Sequence, residues 1–214
     1  MEAIVIGGSG ATGRELVKQL VNDDRFSKIR VFLRKSYFEP DEKLEEIIID
    51  FEKLNNFKDQ IKGDVAFSCL GTTLKDAGSK AAQWHIDYDY PFQFAEMAFE
   101  NGVSSFVLLS AVGVDAKSQV FYNRMKGSLE DVIKKIGFQH LLILQPGFID
   151  RPNTNRMGEK VGIKVIQILN RLGLFEKYAP IKTGELAKAM LESAFRNNKA
   201  VEVLPLKKIK AILN

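Results

Sequence analysis

Tyr122 and Lys126, in the run Tyr-Asn-Arg-Met-Lys, stand four residues apart, the spacing that puts two side chains on one face of a helix. A phenol beside an ammonium is a proton-transfer pair. The cation lowers the phenol's pKa from ~10 toward neutral and so readies it to exchange a proton. Upstream, the apolar run Ser105-Phe-Val-Leu-Leu109 reads as a strand and delivers Ser110 at its C-terminal end, where a hydroxyl can polarise a substrate oxygen. Together these groups suit a reaction in which a proton and a hydride move onto or off a carbon–oxygen bond. Such a Tyr/Lys pair also occurs on solvated helices that do no chemistry, so its weight depends on a cofactor site in front of it.

That site is written at the start of the chain. Ala3 to Ile6 is a short apolar, partly β-branched run, and Leu16, Val17, Leu20 and Val21 recur at helical spacing, so a strand passes into a helix. Between them, Gly7, Gly10 and Gly13 (with Gly8 in an overlapping pattern) give the tight turn, the close backbone approach and the helix-to-strand contact that a dinucleotide's diphosphate needs. Gly10, Ala11, Thr12 and Gly13 then open a helix whose free N–H groups attract an anion. A plain strand-to-helix turn is the bland alternative, and three glycines at this spacing argue against it.

The next strands add contacts. Lys28 to Leu33 is a second strand, and Arg34 and Lys35 follow where an acid would bond the adenosine ribose; two cations there suit a 2′-phosphate, which favours NADP(H) over NAD(H). Asp50, at the end of a third strand over 46–50, can accept from the adenine amino group. A fourth strand, Asp64 to Cys69, runs into Cys69, Leu70, Gly71 and Thr72, placed across the crest from the glycine turn to line diphosphate and ribose. Cys69 itself reads as a small core residue, not a nucleophile. A crossover helix over 81–102 is entered by Trp84 and His85, with a first turn or break at Pro91. A sixth strand ends in Pro146 and Gly147, a turn suited to packing on a nicotinamide.

These elements predict an α/β protein: a single-domain Rossmann fold, doubly wound and mostly parallel, with strand order 3-2-1-4-5-6 and a small C-terminal helical extension. One domain is expected over 1–214, with 148–214 as a substrate-side extension. In it, the polar stretch from Asp150 to Gly158 is a candidate flap. Helices are expected over Val161–Leu172 and Gly184–Phe195, then a short strand over Ala200–Leu204 and a basic amphipathic end over 207–213.

Composition fits this reading. A chain of 214 residues, 45% hydrophobic and 27% charged, is ordinary for one globular domain. Cys69 is the single cysteine, which rules out an intrachain disulfide and fits a reducing compartment. His85 and His140 have no partners at metal-ligand spacing, so no metal is expected. No apolar run approaches a membrane span of ~18 residues and no secretory leader is visible, so a cytoplasmic protein without a span is expected. The net charge of +4 is absorbed by a phosphate-rich cofactor and is too small to imply nucleic acid.

With these residues placed, the chain resembles the short-chain dehydrogenase/reductase superfamily in its atypical NAD(P)H-binding branch, and more closely the Tat-interacting-protein oxidoreductase family. The likeness runs through Gly-Gly-Ser-Gly-Ala-Thr-Gly13, Cys69-Leu-Gly-Thr-Thr73, Leu109-Ser-Ala-Val-Gly-Val-Asp115, Tyr122-Asn-Arg-Met-Lys-Gly127, Gln145-Pro-Gly147 and Arg156-Met-Gly-Glu159. It implies NADPH over the glycine turn, Ser110, Tyr122 and Lys126 in the superfamily's catalytic roles, and Pro146-Gly147 near the nicotinamide. Asp87 departs from the asparagine that extended members often carry, and the short segment after the sixth strand leaves the pocket open or completed by a second copy or a protein partner. The leading expectation is an NADPH-dependent oxidoreductase acting on a small carbonyl-type molecule. A cofactor-binding regulatory protein with little turnover is the rival, and an epimerase or dehydratase that recycles its cofactor is the third reading.

Overall fold

A computed structural model of the chain describes residues 1–151, 178–196 and 200–213. Its strands in chain order are β1 (Glu2–Ile6), β2 (Lys28–Leu33), β3 (Leu44–Ile48), β4 (Val65–Ser68), β5 (Ser105–Leu109), β6 (His140–Gln145), β7 (Ile149–Asp150), β8 (Ile181–Lys182) and β9 (Val201–Pro205). Seven of them form one sheet in the order β3-β2-β1-β4-β5-β6-β9, with every neighbouring pair parallel. This is the expected doubly wound order with one addition. The late strand pairs with β6, Leu141 opposite Val201 and Gln145 opposite Pro205, where it buries Leu204.

Alternation along the strands divides the core. Ala3 and Val5 point into one apolar layer while Ile4 and Ile6 point into the other, and the same period of two recurs at Phe106, Val107 and Leu108. Both faces are therefore covered, which is why the central strands read as unbroken apolar runs. The first layer is completed by α1 (Ala11–Val21), by a helix at Thr183–Ser193 and by a terminal helix at Leu206–Ile212 that docks through Leu206 and Ile209. The second holds the 3-10 segment Phe51–Gln60, α4 (Tyr90–Glu100) and α5 (Phe121–Ile136).

Two departures from the sequence reading have local causes. The third strand ends at Ile48 instead of residue 50. The Glu46 carboxylate accepts the Tyr37 and Phe38 N–H groups at 2.8 and 2.7 Å and so folds the segment after β2 back onto β3. Asp50 lies past the strand, exposed, where it caps the 3-10 segment by accepting the Glu52 N–H at 3.1 Å. The crossover helix, in turn, carries Pro91 in the first turn of α4, one of its two expected placements, but reaches it through a turn that the sequence did not announce. After α2 (Leu74–Ala77), α3 (Lys80–Trp84) passes through a π turn at His85–Asp89 directly into α4. Pro91 has no N–H to give the Asp87 carbonyl, and the wide turn, closed by the Tyr90 N–H on the His85 carbonyl, absorbs the lost bond. Such turns interrupt helices where a side chain must be re-aimed.

The chain re-enters the described structure beside the sheet's C-terminal edge, where β7 pairs in parallel with β8. The Arg156–Glu159 motif and the helix expected over 161–172 lie outside the described residues, as does most of the candidate flap.

Candidate functional site

The glycine turn is built as the spacing required. Gly7 has φ +74°, the left-handed region that favours glycine, and a Cβ there would strike the Cys69 and Leu70 backbone. A Cβ on Gly13 would run into the Gly7 carbonyl, so the turn and the first helical residues pack main chain on main chain. The Gly10 N–H closes the turn on the Gly7 carbonyl at 3.0 Å. Gly10 is also the N-cap of α1, with no side-chain cap and no acid in the first turn. The first N–H groups of that helix are thus left to an anion, and Gly10, Ala11 and Thr12 line the adjoining cleft. These features fit a dinucleotide diphosphate.

Three recesses form one continuous trough over the C-terminal ends of the strands. The first, at the C-terminal end of β2, is lined by Phe32, Leu33, Arg34, Phe51 and Tyr90. It shares Leu70, Gly71, Thr72 and Asp76 with the central cleft. The cleft in turn shares Ser110, Tyr122, Ile149 and Arg151 with a third recess walled by Val112, Pro146, Gly147, Phe148 and Tyr178. The structure therefore brings Arg34, the loop from Cys69 to Thr72, the glycine turn, Ser110, Tyr122, Lys126 and the Pro146-Gly147 turn to one trough. It leaves Lys35 and Asp50 outside the lining of these recesses, both exposed.

Tyr122 and Lys126 lie on the first turns of α5. Lys126 is 4% exposed, and its ammonium reaches the Leu70 carbonyl at 3.5 Å. Burial lowers its pKa, opposed by the negative charges of Asp87 and Glu130. Asp87, 1% exposed, projects from the π turn and accepts the Thr72 N–H at 2.7 Å. Its other carboxylate oxygen is buried without a hydrogen-bond partner. Burial raises the Asp87 pKa while the Lys126 ammonium draws it down.

The sequence predicted that Lys126 lowers the Tyr122 phenol. The structure gives the opposite direction: the phenol is pushed up to about 12, by burial first and then by the Asp87 carboxylate, with Arg151 pulling it down. The residue still keeps 37% of its surface exposed, so the shift comes from the cleft walls around its hydroxyl. With Asp87 close by, the lysine's charge is already answered by a carboxylate, and the phenol stays protonated at neutral pH. The Cys69 thiol is likewise pushed up to about 12 by burial and sits 3.8 Å from the Met190 sulfur, as a core residue does.

Ser110 is held at both ends. Its N–H donates to the Leu144 carbonyl at 2.8 Å, and its hydroxyl donates to Glu130 Oε1 at 2.6 Å. Glu130, Asp76, Arg151 and Tyr178 were not singled out from the sequence. For Glu130 the signal was available: it falls four residues after Lys126, on a helix face otherwise made of Met125, Leu129 and Ile133.

Comparison with known proteins decides the family. The profile described as NAD(P)H-binding matches residues 7–171, which span the turn, the cleft and the Tyr/Lys pair. The chain belongs to the NAD(P)H-binding family. It is 35% identical over 149 residues to Protein HTATIP2 of Rattus norvegicus, covering 68% of this chain and 61% of that protein. It is 36% identical over 152 residues to Protein fmp52-2, mitochondrial, of Aspergillus terreus, covering 69% and 66%. The match thus spans less than two thirds of either relative. Among solved structures, the oxidoreductase ylbE from Lactococcus lactis superposes with a TM-score of 0.70 at 17% identity, covering 100% of this chain and 97% of that one, a likeness of fold. The resemblance drawn from the motifs is borne out. The cytoplasmic expectation is not: fungal members of the family, in Aspergillus, Candida and Saccharomyces, carry the description mitochondrial, a setting that the absence of a visible leader could not reveal.

Proposed function

We propose that this protein is an NADPH-dependent reductase of a small carbonyl compound. The observation that carries the reading is the meeting of Ser110, Tyr122 and Lys126 in one cleft with the uncapped N-terminus of α1. The nicotinamide, when bound, supplies the hydride. The chain does the rest. Ala11 and Thr12 at the head of α1 take the diphosphate, and Lys126 takes the nicotinamide ribose from within the cleft. Tyr122, protonated at working pH, donates its proton to the carbonyl oxygen as the carbon is reduced, and recovers one from solvent. Pro146 and Gly147 would pack against the nicotinamide. Of the expected substrate-side extension over 148–214, it is Phe148, Ile149, Arg151 and Tyr178 that border the recess beside it, while the helices at Thr183–Ser193 and Leu206–Ile212 and strand β9 belong to the core and sheet. Arg34 on the adenosine side favours the extra phosphate of NADPH, with Lys35 within reach once that phosphate is present. Asp50 acts on the adenine only if its cap on the 3-10 segment opens.

The test is NADPH oxidation against a panel of ketones and aldehydes. Turnover that falls by about 10²–10⁴ in Tyr122→Phe, with NADPH affinity held, supports the reading. Tight NADPH binding with silence across the panel would replace it with a cofactor-dependent regulatory protein. Product formed without net NADPH loss would replace it with an epimerase or dehydratase.

A further inference from the structure

Behind Ser110, which lines the cleft, lies a buried carboxylate that the reaction above does not use. Glu130, 4% exposed, accepts the Ser110 hydroxyl at 2.6 Å and the Gln145 amide on both oxygens at 2.8 and 3.1 Å. The Lys134 ammonium reaches it at 3.4 Å. Every one of these groups donates to Glu130, which is how an ionised carboxylate is satisfied. A separation of 2.6 Å is that of a hydroxyl giving its proton to a charged oxygen.

A serine has one proton to give and two lone pairs. With its proton committed to Glu130, Ser110 faces the cleft with lone pairs only. That is the wrong polarity for an oxyanion partner, the role its position after β5 suggested. The phenol of Tyr122 is then the hydroxyl donor to the carbonyl oxygen, and Ser110 waits for a donor of its own.

We infer that Glu130 is a positioning residue that fixes Ser110 as a hydrogen-bond acceptor, so that the preferred substrate carries a hydroxyl or N–H beside its carbonyl. This rests on the reductase reading for its substrate, but not for the Ser110–Glu130 bond. The recess between Ser110, Asn123 and Pro146 is where the donor group enters. A substrate lacking it leaves the Ser110 lone pairs unmatched and forgoes one hydrogen bond.

The test pairs 2-hydroxyacetophenone with acetophenone, comparing kcat/KM for wild type, Ser110→Ala and Glu130→Gln. Wild type is expected to favour the hydroxy ketone by about tenfold, the equivalent of one hydrogen bond. Ser110→Ala is expected to bring the ratio to near one. Glu130→Gln, whose amide can donate to Ser110 and turn the serine proton into the cleft, is expected to lower the ratio by raising turnover of the plain ketone. A wild-type ratio near one, or a preference that survives Ser110→Ala, overturns the inference.

The bond itself is read separately by NMR of the NADPH complex. A slowly exchanging hydroxyl proton, present in wild type and lost in Ser110→Ala, supports it, and absence of that proton overturns it. Should neither ketone be reduced while that resonance is found, the reductase reading fails and the Glu130 assignment stands. If Glu130→Gln does not fold, wild type and Ser110→Ala carry both measurements.

Discussion

The two ends of the central cleft are made of different materials. At the diphosphate end the working groups are main chain: the Gly7 turn, the Gly10 cap and the bare N–H groups of α1. At the other end they are side chains, and three ionisable groups, Asp87 and Lys126 in the lining and Glu130 behind Ser110, are buried near one another in space though not in sequence. The first end has no tolerance for added volume and nothing to titrate. The second has room for modest changes of shape, but each charge is held by the next, so removing one is felt by all.

Breaking the backbone end should give the largest effect. Gly13→Ala places a methyl on the Gly7 carbonyl, and the turn must open. NADPH affinity is expected to fall by more than about a hundredfold and stability by about 1–3 kcal/mol, the usual cost of overpacking, read by calorimetric titration and thermal melts. Next comes the charge-coupled end. Lys126→Met removes the cation whose field draws the buried Asp87 carboxyl down, and stability is expected to fall by about 1–3 kcal/mol, the usual cost of leaving a buried polar group unanswered. Adding Asp87→Asn should restore part of that stability, and a double-mutant cycle that comes out additive would show that the two ends do not differ in this respect. A smaller effect is expected from Arg34→Ala: about a tenfold loss of affinity for NADPH, from one charge-assisted contact, with NADH affinity unchanged. Equal losses for both dinucleotides would move the 2′-phosphate away from Arg34.

The smallest effect belongs to the exception on the adenosine side, a titrating cluster behind Tyr90. His85 lies 2.6 Å from Asp89 and 3.1 Å from Glu52, and these carboxylates, Asp89 first, raise its pKa. A histidine raised on folding stabilises fully below its unfolded value of ~6.5 and loses that contribution as pH climbs through the higher folded value. The difference in Tm between wild type and His85→Gln should therefore be greatest below about pH 6.5, no more than about 2–4 °C, and should fade in alkaline solution. A difference that grows with pH would mean the ring is neutral in the fold.

The same contrast explains what could be read before the structure was in hand. Glycine spacing and unbroken apolar strands are local signals, and they sufficed for the sheet order through β6 and for the tight turn between β1 and α1. The direction of the Tyr122 shift was not legible, because it depends on Asp87, thirty-five residues earlier in the chain and re-aimed by a π turn that Pro91 signals only as a break. Glu130 was legible in principle, as a charge on the apolar face of α5, but its meaning needed Ser110 and Gln145 to be brought to it from two strands. The placement of β9 beside β6 was a tertiary choice that a short, half-apolar run could not announce.

Thr72 donates its N–H to Asp87 and accepts the Gln83 amide on its carbonyl oxygen at 3.2 Å, and it lines both the recess at the end of β2 and the central cleft. The two peptide links that meet at Thr72 are thus each tied to the crossover helix, and the residue lines two recesses. A substitution at Gln83 or Asp87 therefore bears on the wall common to both recesses, so its effects are expected in the two together and not in one alone.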